Sequence, residues 1–281
     1  MINHAVLSNK DFVKKYGNLH DNNKPVFVAH ASGDDWKIFG NGVKITRTDD
    51  DFAGGTQTDL YAAFEGKINL LPYQKALEKM SDLNIKAGFS ESRKRKRVMS
   101  DLEGDWDIDK RWEIAPFNSA IKKNMPITSV KINCDFSIPA SINSADIMDY
   151  AALCWSVISR VESQGISSEV NLVNISKNMD YNSTHNLYMI YNIKKAGTYQ
   201  DLNSMARFFS CNFYRRAIFQ IMDEIPKFYK KTACVGLGTP IQGAFYAIPG
   251  EISLAPKIVQ SEIDFNDLEK KINIAMGVVQ K

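Results

Sequence analysis

Val130-Lys-Ile-Asn-Cys134 runs straight into Asp135-Phe-Ser137, and Asn143-Ser144 follows a few residues later; the fold turns on this stretch. The first piece reads as a short apolar strand ending on an acid. Asn143 or Ser144 is a helix cap, since a short polar side chain accepts from the free N–H groups of a first turn. The helix runs to about Gln164 and stops at Gly165. Its face, Ile147, Met148, Ala151, Leu153, Trp155, Ile158 and Val161, recurs close to every 3.6 residues. Outward from there, Glu169–Ile175 and Leu187–Ile193 are strands separated by a polar loop, and Asp201 opens a second long helix to about Ile225. Lys231–Leu237 and Glu251–Ala255 are further strands, and Asp264 caps a last helix with Phe265, Leu268, Ile272, Ala275 and Val279 facing in. Strands alternating with long helices predict an α/β fold, a Rossmann-like three-layer sandwich with a mostly parallel sheet covered on both faces. Such sheets bind ligands at the carboxyl ends of their strands, which directs attention to the loop after Cys134.

Upstream the composition changes. The first ~90 residues are rich in Gly, Asp, Asn and Lys, the kind of shift found at a domain edge. Pro25–Ala29 reads as a strand, Asp34–Gly40 as a turn and short strand, and Leu70–Met80 as a helix with Leu70, Tyr73, Leu77 and Met80 on one face. Residues 1–90 are therefore expected to form an α+β N-terminal extension, 91–126 a charged connecting segment, and 127–281 the α/β core.

The 281 residues include 44% hydrophobic and 24% charged side chains, ordinary for a folded domain and incompatible with disorder throughout. No 18-residue apolar run exists for a membrane-spanning helix. The N-terminal residues lack a basic region and a long apolar region, so no signal peptide is expected. Cys134, Cys154, Cys211 and Cys234 lack CxxC spacing and sit among apolar residues, as reduced thiols of a cytoplasmic protein do. Four scattered histidines offer no zinc spacing. A net charge of +3 and a pI near 8.5 permit a nucleic-acid partner without requiring one.

Two segments carry enough basic charge for phosphate. Arg93, Lys94, Arg95, Lys96 and Arg97 form an unbroken run able to release counterions from a nucleic acid. Its plain alternative is a solvated face neutralised by the acidic run from Asp101. Arg215 and Arg216 lie roughly opposite the apolar stripe Met205, Phe209, Phe213, Ala217 and Ile221, so they suit either phosphate or a surface ion pair. Asp105, Asp107 and Asp109 alternate as in a calcium loop. Lys110 and Pro116 stand where an EF-hand needs Gly and Glu, and that reading is rejected. Val235-Gly-Leu-Gly238 is not a complete dinucleotide-binding fingerprint, no P-loop occurs, and His185 has no nucleophile partner nearby.

Asp135-Phe-Ser137 resembles the start of a von Willebrand factor A domain, whose Asp-x-Ser-x-Ser oxygens hold Mg²⁺. Here Asp135 and Ser137 match, while Pro139 replaces the second serine. The resemblance implies Mg²⁺ as the one candidate cofactor; the alternative is that both residues satisfy backbone groups at a strand end. A broader succession comprises Arg95 to Pro116, Gln164–Val170, Phe209–Arg216 and Val235–Gly238. Over residues 91–280 it is similar to a group of tailed-phage proteins with a degenerate von Willebrand factor A-like core. That resemblance implies a phage origin, a cytoplasmic location in the infected host and a non-enzymatic binding role.

The expectation is an accessory protein that binds single-stranded DNA or RNA through Arg93–Arg97, Arg215 and Arg216 and recruits a transcription or replication partner, as accessory proteins of N4-like phages do. The alternative is a protein-binding adaptor with a degenerate metal-ion-dependent adhesion-type site at Asp135 and Ser137, beside an AAA+ ATPase.

Overall fold

The computed structural model describes residues 3–16, 25–32, 49–65, 67, 71–82, 97–100, 105–106, 117–120, 129–163, 166–176, 185–198, 202–222 and 251–279. They fall into two units, one formed by residues 1–84 with 129–281 and the other by residues 85–128.

The larger unit is built on a six-stranded sheet. Its strands are β1 (Asn3–Leu7), β2 (Val26–Ser32), β6 (Ser129–Asp135), β7 (Ser167–Ser176), β8 (Asn186–Lys194) and β9 (Glu251–Leu254), in the order β1-β2-β8-β7-β6-β9. The smaller unit holds β3 (Arg97–Ser100), β4 (Asp105–Trp106) and β5 (Phe117–Ala120), paired antiparallel in the order β3-β5-β4. Residues 3–7 and 26–32 thus complete the main sheet and do not stand apart as an extension.

The large sheet is mixed, which corrects the expectation of a mostly parallel von Willebrand factor A-like sandwich. β6 runs parallel to β7 and β9, and β2 parallel to β8, but β7 and β8 at the centre are antiparallel, as are β1 and β2 at the edge. Chain length explains the central pair. Only residues 177–185 separate β7 from β8, and a parallel crossover needs about a dozen residues or more.

One face is closed by helices. Here α5 (Ser144–Ser163) lies on β7 with Trp155 stacked on Phe209, and α4 (Leu71–Asp82) packs against α5 through Tyr73 and Trp155. Asn143 caps α5 by accepting from the Asp146 N–H at 2.8 Å. The expected helix 201–225 is split. It consists of α6 (Leu202–Phe208) and, after Phe209-Ser210, a second helical stretch that includes the π-helical turns Phe213–Ile218. A strict four-residue stripe overshoots a 3.6-residue turn by about 40° each step, and the wider π turns take up that drift. Phe208 and Phe213 meet Tyr191 of β8 on this face. Of the remaining helices, α2 (Asp50–Ala53) and α3 (Gln57–Phe64) precede α4, and α7 (Phe265–Val279) contacts β9. At the end of α2, Gly54 has φ +70°, and a Cβ there would sit 3.1 Å from Ser144 and 3.2 Å from Cys211. A short hairpin, β10 (Ile258–Val259) and β11 (Glu262–Ile263), leads into α7.

The opposite face is covered at one end by α1 (Asn9–Tyr16). Phe12 and Tyr16 pack there against Val26, Val28, Val173, Ile175 and Tyr188. A β-bulge between Val170 and Asn171 divides side chains between the faces. It leaves Asn192 opposite Asn171 and turns Lys194 to the helix side with Val170. There Lys194 is buried and its ammonium meets Glu162 of α5 at 2.7 Å.

Among the described residues no helix is long and apolar enough to cross a membrane. Cys134, Cys154 and Cys211 are buried free thiols, and burial pushes the Cys134 thiol well above the ordinary cysteine range. The predicted strands Asp34–Gly40 and Lys231–Leu237, and Cys234, lie outside the described residues.

Candidate functional site

Alternation along each strand places every second residue on the face that α1 only partly covers. Beyond α1 that face is polar. Ser32, Asn192, Asn171, Asn133 and Ser253 stand directly opposite one another across five adjacent strands. Two residues along, Glu169, Lys131 and Glu251 make a second row across β7, β6 and β9. Together with Lys15, Tyr16, His30, Tyr188, Ile190 and Lys195, these rows apart from Ser253 line a cavity of about 820 Å³, the size that takes a small molecule.

The amide row is hydrogen-bonded end to end. Asn192 Nδ2 donates to Asn171 Oδ1 at 2.9 Å, Asn171 Nδ2 to Asn133 Oδ1 at 3.1 Å, and Asn133 Nδ2 to Glu251 Oε2 at 2.6 Å. A carboxylate only accepts, so Glu251 obliges Asn133 to present its amino group, and the direction then propagates to Asn171 and Asn192. Glu251 therefore orients three amides. Asn171 is 4% exposed and is held again by Glu169 at 3.4 Å. Lys131 reaches Glu251 at 3.3 Å and Glu169 at 3.9 Å. On the far side the Tyr16 hydroxyl meets His30 Nε2 at 3.2 Å. Partial burial, and then the charges of Lys15 and Lys131, hold the His30 pKa below the usual histidine value, which favours the neutral ring.

The strand end named by the sequence is filled with protein. Phe136, Ile138 and Ile142 are buried, and Tyr214 from the π-helical stretch donates to the Ile138 carbonyl at 3.1 Å. Asp135 Oδ1 accepts from the Ser137 N–H at 2.7 Å, and Ser137 Oγ from the Ile175 N–H at 2.8 Å. Both residues thus satisfy backbone groups. Asp135 is 8% exposed, and burial pushes its carboxyl up to about 6 despite the Ser137 hydrogen bonds. A Mg²⁺ site wants several ionised, free oxygens, so these residues do not fit one. Among the described residues no group of three or more His, Cys, Asp or Glu is placed to hold a metal ion.

The two arginines are inside the fold, which corrects their placement on an outer helix face. Arg215, 2% exposed, donates to the carbonyls of Phe52, Ala140 and Ile142, and its guanidinium lies 3.8 Å from the centre of the Phe52 ring. Arg216, 4% exposed, donates to Asn212 Oδ1 at 2.9 Å, Asp50 Oδ1 and the Gly55 carbonyl at 3.0 Å. Their donors hold α2 and the 136–142 loop together and are not offered to phosphate. Of the basic run, 93–96 lie outside the described residues, and Arg97 begins β3.

A family model described as a domain of unknown function, DUF7192, matches residues 5–276. No curated protein and no solved structure matches the chain.

Proposed function

The chain belongs to the DUF7192 family, and for it we propose a binding role, in which the open sheet face takes up a small polar molecule. The carrying observation is the amide row Asn192–Asn171–Asn133 running to Glu251 along the wall of the 820 Å³ cavity. Asparagine is depleted in strand interiors, and burying it costs free energy unless every group is paired. Three such residues in one row form a fixed array of donors and acceptors, with Tyr16, Tyr188 and Ile190 supplying the apolar wall of a ligand site. The test is thermal denaturation of the full chain with a panel of sugars, nucleosides, amino acids and their phosphates. One class is expected to raise the melting temperature, because a ligand that binds only the folded state stabilises it by about 2.7 kcal/mol at a hundredfold excess over Kd. Asn192→Ala is expected to weaken that ligand at least tenfold while the chain still folds. Unchanged affinity in the variant, or no stabilisation by any class, would sink the reading.

A second reading, single-stranded nucleic-acid binding through residues 85–128, is favoured by the charge distribution. This unit holds ten of the 35 basic residues and seven of the 32 acidic ones, so the whole formal charge of +3 belongs to it and the rest of the chain is neutral. Reversing Arg95 and Arg97 is expected to weaken binding of labelled single-stranded DNA, read by fluorescence anisotropy at two salt concentrations, and to flatten its salt dependence. Equal affinity for both forms at low salt would remove this reading.

A further inference from the structure

We infer that the molecule bound in the cavity is two-ended, with an anionic group beside Lys15 and Lys195 and hydrogen-bond donors toward Glu169 and Glu251. This rests on the reading that the cavity binds a ligand. It follows from how unevenly the lining charges are compensated.

At the β6–β9 side, one cation serves two carboxylates. Lys131 stands between Glu169 and Glu251, and the second oxygen of Glu251 is taken by Asn133. Two acids against one base leave an excess of acceptors there, suited to hydroxyl or amino groups and not to a second anion. At the β2–β8 side the balance is reversed. Lys15 and Lys195 are both exposed and line the cavity, and among the described residues neither has a carboxylate partner within 4 Å. His30 and Ser32 line the cavity with them, and Asn192, whose amino group is taken by Asn171 Oδ1 at 2.9 Å and the Lys194 carbonyl at 3.3 Å, offers its Oδ1 to a hydroxyl of the ligand. The His30 pKa is lowered first by burial and then by the charges of Lys15 and Lys131. A bare divalent cation is a poor occupant, since both carboxylates are already held by Lys131 and amides. A neutral molecule would leave both lysines without an anionic partner, Lys15 keeping only its place 5.1 Å from the centre of the Tyr16 ring. The Tyr16 and Tyr188 rings, 5.1 Å apart and tilted by 58°, offer apolar surface to the middle of the ligand.

A phosphorylated or carboxylated polyol, or a nucleotide, has this chemistry. The probe is ribose 5-phosphate, compared with ribose and with inorganic phosphate by calorimetric titration of the full chain. Ribose 5-phosphate is expected to bind at least tenfold more tightly than either part alone. The double variant Lys15→Ala/Lys195→Ala, at two exposed positions, should bring its affinity down to that of ribose. Asn192→Ala should weaken ribose and ribose 5-phosphate by the same factor. If a neutral compound of the wider panel binds through Asn192 and ignores the lysine variant, the two-ended ligand is overturned while the cavity reading stands. Inorganic phosphate binding as tightly as ribose 5-phosphate overturns it too. If nothing binds and neither variant matters, both readings fall.

Discussion

Arg215→Ala is expected to destabilise the protein by about 3–5 kcal/mol, the largest effect of any single change considered. The guanidinium is the common donor for three backbone carbonyls, those of Phe52, Ala140 and Ile142. Truncation strands the buried Ile142 carbonyl, leaves the half-buried Phe52 carbonyl with only the Cys211 thiol at 3.9 Å, and removes the contact with the Phe52 ring. In a chain of this size the melting temperature should fall by roughly 10 °C. Arg215→Lys should recover little, because one ammonium cannot reproduce a planar fork that faces two loops. Had Arg215 been a surface contact for phosphate, removing it would change stability by no more than about 0.5 kcal/mol. Urea midpoints of the two variants decide the matter, and a change that small would refute the structural role.

Asp135→Asn is expected to stabilise the protein above neutral pH. Burial raises the Asp135 carboxyl from 3.8 to about 6, so the folded chain holds this proton more tightly than the unfolded chain. Stability from this group is therefore full below about pH 4 and is lost as pH rises through about 6. The two-unit shift corresponds to about 3 kcal/mol at pH 7 and above. Asparagine keeps the oxygen that accepts the Ser137 N–H but carries no charge to bury. The variant should gain roughly 2–3 kcal/mol at pH 7.5 and almost nothing at pH 4, measured by urea denaturation at both. A loss at pH 7.5 would refute the cost of burying this charge, and a loss that appears only with Mg²⁺ present would return Asp135 to the list of metal ligands.

Periodicity carried much of the local structure. The stripe from Ile147 to Val161 placed α5 within a residue or two, and the apolar runs after Lys131, Glu169 and Leu187 found β6, β7 and β8. Strand direction is not legible in the alternation of strands and helices; it lies in the nine residues between β7 and β8, too few for a parallel crossover. Arg215 and Arg216 were misplaced for another reason. Apart from Asn212, four residues before Arg216, their partners Phe52, Ala140, Ile142, Asp50 and Gly55 lie 73 to 166 positions away in sequence, and no local pattern marks a guanidinium that caps distant carbonyls. The amide row did leave a trace. Val130–Cys134, Glu169–Ile175 and Leu187–Ile193 each hold an asparagine inside a mostly apolar strand, at Asn133, Asn171 or Asn174, and Asn192. Asparagine is unfavourable there, so its recurrence in three neighbouring strands asked for a common purpose. The pairing register that aligns 133, 171 and 192 was needed to show it.

The strand order also bears on how the chain is made. β2 lies between β1 and β8, and Val26 sits against Asn186. On a ribosome adding about 5–20 residues each second, β2 emerges roughly 10–30 seconds before its inner neighbour exists. For that interval Val26, Phe27, Val28 and Ala29, all buried in the finished protein, have β1 as their strand partner on one edge and α1 over one face, with the other edge unpaired. An apolar strand with one unpaired edge is a template for other chains. The most hazardous moment for this protein is therefore during its own synthesis, when slower elongation between residues 32 and 186 lengthens the exposure and a holding chaperone shortens its consequences.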